Sequence, residues 1–208
     1  MKVAFLLDKN NSWIKEYIVD YTKDKKNFII SFKPDEINNY DFVFILGYTK
    51  VLNNSFLKRN GINLVVHESN LPKGKGFSPI QWQILEGKDK IVFTLFEASE
   101  RIDSGDIFLQ KEVLFKGHEL LNEIRHIQAV NTIELINNFL EKYPNISKKK
   151  QQGEETFYPK RNQNDDRLDI NKTIAEQFNH LRIANNEEFP LWFKINGHKY
   201  HIRISKSK

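Results

Sequence analysis

The chain has 208 residues, 39% hydrophobic and 12% aromatic, enough for one ordinary domain with a substantial core and a small appendage. Its 32 basic and 27 acidic side chains leave a formal charge of +5, a mild surplus that suits phosphorylated or carboxylated ligands as well as nucleic acid. Cysteine is absent, which excludes disulfides, thiolate nucleophiles, iron–sulfur clusters and cysteine-bearing zinc sites. Neither a signal peptide nor an apolar run near the ~20 residues of a membrane span is visible, so a soluble cytoplasmic protein without membrane contact is expected.

Residues 3–7 form a short unbroken apolar run, the pattern of a strand buried on both faces. Asn11-Ser12 offers a helix cap, and Trp13, Ile14, Tyr17, Ile18 and Tyr21 then recur at helical spacing. Residues 28–32 and 42–46 read as strands, 53–59 as a short helix and 61–66 as another buried strand. Strands separated by helices predict an α/β fold with a Rossmann-like, mostly parallel sheet flanked by helices. A helix follows over 78–85, with Pro79 in its first turn and Gly87 past its end. Strands over 91–96 and 107–114 flank a polar loop at 97–106, and a long amphipathic helix over 119–140 stops at Tyr143-Pro144. The run KKKQQGEE at 148–155 is charged without periodicity and reads as a linker or exposed loop. A short C-terminal helix over 171–182 and a β-hairpin over 191–204, turning at Asn196-Gly197, complete the chain.

The stretch HESNLPKGKGFSP, residues 67–79, is the densest in information. A buried strand delivers His67 to the carboxyl end of the sheet, where open α/β sheets place their sites. Ser69, Pro72 and two glycines then demand a tight turn, and Lys73 and Lys75 make it basic. In ERIDSGD, residues 100–106, Asp103 and Asp106 flank Ser104-Gly105. A histidine at a strand end and a carboxylate on a neighbouring loop can act as a base and its orienting partner. By itself a lone histidine is more often a surface or core residue than a catalyst, and the aspartate run reads also as a simple turn.

The strings HESNLP-x-GKGFSPIQW, then LEG, then IDSGD resemble the formyltransferase family that uses 10-formyltetrahydrofolate. FYPKRNQNDDRLDINKTIAEQFNHLRI resembles the segment that follows the family's catalytic domain, so the likeness covers roughly residues 46–182. It implies the formyltransferase fold, with a catalytic domain over 1–147 and a linker, helix and hairpin over 148–208. It further implies that an amine attacks the formyl carbon of 10-formyltetrahydrofolate without a metal. The resemblance also implies that His67 accepts or relays the proton and that Asp103 holds the imidazole in its useful tautomer and raises its pKa. The folate is expected against Leu46, Gly47, Tyr48 and Thr49, the Ser69, Asn70, Leu71 and Pro72 turn, and Ser99, Glu100, Arg101 and Ile102. One position departs from the pattern. The family's asparagine, two residues before the histidine and thought to hold the formyl oxygen, is Val65 here. Asn63 points the same way but sits ~7 Å further back, a poor replacement.

The resemblance is nearest the small sugar-nucleotide N-formyltransferases of bacterial surface glycans, including pseudaminic-type pathways, which act on nucleotide-linked 4-amino-4,6-dideoxy sugars. In that reading Lys73 and Lys75 meet the pyrophosphate, and Phe77, Trp82 or Tyr158 stack on base or sugar; solvated lysines and a core tryptophan are the bland alternative. Methionyl-tRNA or another amine, or an impaired binding relative, are the alternatives for the whole chain. The only basic run, KKKQQ, has no aromatic within it, so a nucleic-acid partner is not expected. His118, His126 and His180 read as surface residues, and His198 and His201 face opposite sides of one strand. Trp192, Phe193, Tyr200 and Ile202 give the hairpin an apolar face that needs cover from the first domain or a second copy, hence a homodimer.

Overall fold

In the computed structural model, which describes residues 1–11 and 13–207, the apolar run at the N-terminus becomes β1 (Val3–Leu7), buried at every position. Then come α1 (Lys15–Thr22), β2 (Phe28–Ser31), β3 (Phe42–Leu46), α2 (Asn54–Lys58), β4 (Ile62–His67) and the two-residue β5 (Lys75–Gly76). The middle of the chain supplies α3 (Pro79–Leu85), β6 (Lys90–Glu97), β7 (Ile107–Leu114) and α4 (Leu121–Lys142). The C-terminal part adds β8 (Phe157–Tyr158), α5 (Phe178–Arg182), β9 (Leu191–Ile195) and β10 (His198–Ile202).

Six strands form the central sheet in the order β2-β1-β3-β4-β6-β7. The first four are parallel, and β6 and β7 run antiparallel to their neighbours, so the sheet is mostly parallel. Alternate residues of β1 serve opposite layers, as the two-residue period of a strand requires. Val3, Phe5 and Leu7 face α1, α3 and α4, whereas Ala4 and Leu6 face Ile37 and Phe56. Phe44 is the hub of the first layer, stacked at 5.5 Å on Phe5 and edge-on at 6.2 Å to Phe139 of α4.

Most expected elements are present within a residue or two, and three differ. The cap expected for α1 lies partly outside the described residues, because Ser12 is not among them. The Asn11 side chain donates to the Gly47 carbonyl at 2.9 Å, and α1 begins only at Lys15. The helix expected over 171–182 shrinks to α5. Gln177 spends its side chain on the Asp169 amide and on the Asp169 and Lys172 carbonyls, and Thr173 bonds Glu176. Such side chain–backbone bonds compete with helix formation, and Ile174 is left 75% exposed.

The charged run at 148–155, expected as a free linker, lies instead along the sheet domain. Lys149 exchanges backbone hydrogen bonds with Ile107, and β8 pairs in parallel with β5. The hairpin turns where expected, with Asn196 and Gly197 both at positive φ, as a type I′ turn needs. Phe193 and Ile202, like Phe178, pack on Leu168, Leu181, Ala184 and Leu191, so much of the hairpin's apolar cover comes from its own segment. A buried ion pair, Arg182–Glu119 at 2.9 Å, fastens that segment to the start of α4.

Candidate active site

The carboxyl ends of β3 and β4 and the connection between β1 and α1 open onto one cavity of about 300 Å³. Asp8, just past β1, accepts hydrogen bonds from the Thr49 amide and hydroxyl and from the Asn10 amide, which fixes the loop after β3. Burial works against the Asp8 charge, but those bonds outweigh it and hold the carboxyl below the usual carboxylate range. Beyond β4 the chain is clamped from two sides. The Thr94 hydroxyl donates to the Ser69 carbonyl at 2.7 Å, and Gln83 of α3 donates to the Glu68 carbonyl at 2.6 Å.

The second wall is the loop after β6. Gly105 lies so close to β6 that an added Cβ would sit 1.6 Å from the Glu97 carbonyl oxygen, so the Ser-Gly-Asp turn requires glycine. Gln151, from the charged run, donates to the carbonyls of Asp103 and Gly105, each at 2.9 Å. Asp103 is thereby held at positive φ, a conformation aspartate tolerates better than most residues.

These loops bring together His67 and Asp103, both within the cavity wall. His67 Nε2 lies 2.8 Å from the Gly74 carbonyl oxygen, and Nδ1 lies 3.8 Å from Asp103 Oδ2. A carbonyl only accepts, so Nε2 carries the hydrogen, and the neutral ring keeps its lone pair on Nδ1. The tautomer is set by Gly74 rather than by Asp103, which is beyond direct hydrogen-bond distance. Asp103 Oδ2 instead accepts the Gly76 amide at 2.8 Å. Its carboxylate is placed to stabilise a proton arriving on Nδ1.

Of the residues expected around the ligands, Leu46, Gly47, Tyr48, Thr49, Phe77, Ser99, Glu100 and Ile102 line the cavity. The turn does not follow suit. Ser69 and Leu71 are buried beneath it, Asn70 is exposed and accepts from Gln110, and the Pro72 carbonyl takes the Thr156 amide. Arg101 points to Glu155.

Lys75 also departs from expectation. Its side chain is 1% exposed, and the ammonium is bound by Glu155 and Ser104, each at 2.8 Å. A charge so enclosed must be paired, so it ties the two loops together instead of meeting a pyrophosphate. Lys73 is exposed and lies outside the cavity wall. Trp82 and Tyr158 stack on each other at 6.3 Å. The indole donates to the Pro159 carbonyl, and the phenol donates to Glu86. Burial and the Glu86 charge push the Tyr158 hydroxyl far above its ordinary pKa.

Sequence reasoning passed over the wall opposite the folate-side residues. Trp13 and Ile14 enter from the β1–α1 connection, and Arg125, Gln128 and Thr132 from α4. The last three recur at i, i+3 and i+7, a polar stripe on one face of an otherwise amphipathic helix. Glu68 completes this wall, its Oε1 accepting from Gln128 Nε2 at 2.6 Å. His180, expected at the surface, is half-buried, and burial holds its imidazole below the ordinary value. Among the described residues no helix is long and apolar enough to cross a membrane, and no three His, Asp or Glu side chains group as a metal site.

A Rossmann-like sheet thus sets a strand-end histidine and a loop aspartate in the wall of one cavity. Residues 35–136 match the family described as Formyl transferase. It is 32% identical over 149 residues to the methionyl-tRNA formyltransferase of Thermodesulfovibrio yellowstonii, covering 69% of this chain and 48% of that protein. The chain spans about half the length of the curated relatives it matches. Among solved structures it resembles methionyl-tRNA formyltransferase from Clostridium thermocellum, with TM-score 0.81 and 20% identity over 100% of this chain and 94% of that one. It also resembles a 4-N formyltransferase from Francisella tularensis, with TM-score 0.74 and 17% identity over 100% and 98% of the two chains. At these identities the structural likeness establishes the fold.

Proposed function

We propose that the protein is an N-formyltransferase that moves the formyl group of 10-formyltetrahydrofolate to the amine of a nucleotide-linked 4-amino-4,6-dideoxy sugar. The observation that carries this reading is the Nδ1 lone pair of His67, beside Asp103, in the wall of a cavity of about 300 Å³. That volume suits small-molecule ligands.

The residues present fit a folate. Leu52, Leu57, Val65 and Phe96 give an apolar wall for a flat heteroaromatic ring, and the loops at Leu46–Thr49 and Ser99–Ile102 border it. When bound, the folate supplies an activated formyl carbon. His67 takes at Nδ1 the proton that the amine sheds as its nitrogen bonds to that carbon, and Asp103 stabilises the imidazolium. Gly74 keeps the ring from turning.

The sugar reading is supported by the small cavity and by structural neighbours named as sugar and 4-N formyltransferases. A methionyl-tRNA acceptor is the second reading, favoured by the names of the sequence relatives. A turnover assay separates them, with 10-formyltetrahydrofolate and either a panel of nucleotide-linked 4-amino-4,6-dideoxy sugars or methionyl initiator tRNA as acceptor. A mass gain of about 28 Da on a sugar, from one amine nucleophile taking one formyl group, and its loss in His67→Ala, is the expected result. Product on the tRNA alone would transfer the assignment to the second reading, and no product on either would refute both.

A further inference from the structure

We propose that Glu68 is the acceptor-side base: its carboxylate receives the incoming amine as an ammonium ion and takes the first of its two protons. This rests on the formyl-transfer reading above.

The need for a second base follows from the proton count. Free amino groups of biomolecules titrate between about 8 and 10, so at neutral pH the acceptor arrives as R–NH3⁺, without the lone pair that attacks. Turning R–NH3⁺ into R–NH–CHO removes two protons. One is returned to the folate nitrogen when its bond to the formyl carbon breaks; the other must leave. His67 has a single vacant position, Nδ1, because Nε2 is committed to Gly74. It can carry the returned proton and no more. Asp103 is committed through Oδ2 to the Gly76 amide and faces His67.

Glu68 has the placement for the remaining proton. It directly follows His67, and it lines the same cavity on the side formed with α4. Gln128 donates to Oε1 at 2.6 Å and orients the carboxylate; among the described residues no Lys or Arg lies within ion-pair distance of it. The groups that face it are His67 from β4, Gln128 from α4 and Asp103 from the loop after β6, with Arg125 of α4 lining the same cavity. Burial is the largest influence and pushes this carboxyl above the usual range, which makes it a stronger base toward an ammonium than a solvated carboxylate. The balanced sequence is brief. Glu68 takes a proton from R–NH3⁺, and the freed amine forms its bond to the formyl carbon. His67 takes the second proton and delivers it to the folate nitrogen as that carbon–nitrogen bond breaks. Glu68 then releases its proton to solvent.

The test compares wild type with Glu68→Gln, using dTDP-4-amino-4,6-dideoxyglucose as the acceptor. At pH 7 kcat/KM should fall about a hundredfold. The deficit should shrink by about tenfold per pH unit up to the amine's own pKa, because free amine then supplies what Glu68 no longer makes. Parallel pH profiles would overturn the proposal.

A second readout needs no turnover. Removing a desolvated carboxylate should raise Tm at pH 8 and leave it little changed at pH 5, and 50 mM ethylammonium chloride should raise the wild-type Tm at pH 8 but not that of the variant. A Tm difference equal at both pH values, or an identical ethylammonium response, overturns the assignment of Glu68. Absence of product from the wild type on sugar and tRNA alike refutes the formyl-transfer reading instead.

Discussion

Val65→Asn tests how this site manages the formyl oxygen. Residues two apart on a strand share a face, so an asparagine at 65 would project on the same side of β4 as His67, into the cavity that Val65 already lines. Neither nearby asparagine now does this. Asn63 is buried behind, its Nδ2 donating to the Leu57 carbonyl at 2.9 Å, and Asn70 is exposed with Gln110. The cost is calculable. Val65 lies opposite Ile45 and Phe96 and packs with Leu71, Phe96 and Ile107. An amide in that wall loses about 1–3 kcal/mol when no substrate satisfies it, or about 2–12 °C in Tm for a chain of this size. The gain is larger: one well-aimed donor to a developing oxyanion contributes a factor of about 10²–10³ in rate. The expected variant is therefore less stable and faster, read by thermal melts and by single-turnover rates with His67→Ala as the blank. A folded variant whose kcat stays within about threefold of wild type would show that another group already donates to that oxygen, and would refute the reasoning.

Asp103→Asn keeps the shape of the loop but removes the charge beside Nδ1, so kcat should drop about 10²–10⁴-fold with little change in Tm; an unchanged kcat would remove Asp103 from the mechanism. Glu119→Gln strands the buried Arg182 guanidinium and should cost about 3–5 kcal/mol in urea unfolding. Arg182→Met should cost less, because Glu119 keeps the amides of Lys116 and Gly117 at 2.6 and 3.0 Å; the reverse order would contradict this account of the pair. Burial opposes the Glu119 charge, yet the Lys116 amide, Arg182 and the Gly117 amide together hold its carboxyl below the usual range. A depressed folded-state pKa stabilises above the ordinary glutamate value, and that contribution is lost as pH falls through the folded one. Glu119→Gln should accordingly show a shallower loss of stability on acidification. Gly105→Ala forces a Cβ against the Glu97 carbonyl, so it should displace the Asp103 loop, lowering both Tm and kcat; wild-type values for both would mean the loop has room to move.

How much of this was legible depends on the range of the interaction that sets each feature. His67 and Asp103 could be singled out because they sit in short strings, HESNLP and IDSGD, that resemble a known family; an apolar strand ending in a histidine and a Ser-Gly-Asp turn alone left their role open. Their meeting follows from β4 and β6 lying side by side in the sheet. The two lysines of KGK behave oppositely, although their local contexts are nearly the same. Lys73 reaches solvent, while Lys75 is enclosed by Glu155, a residue 80 positions away that arrives only because the charged run folds back along β5. No periodicity within a window of ten residues carries that information. The α4 stripe is an intermediate case: Arg125, Gln128 and Thr132 are visible as a polar line, but its purpose depends on Glu68, which β4 places opposite it. A polar line on a helix facing a sheet is costly unless something polar lies across from it.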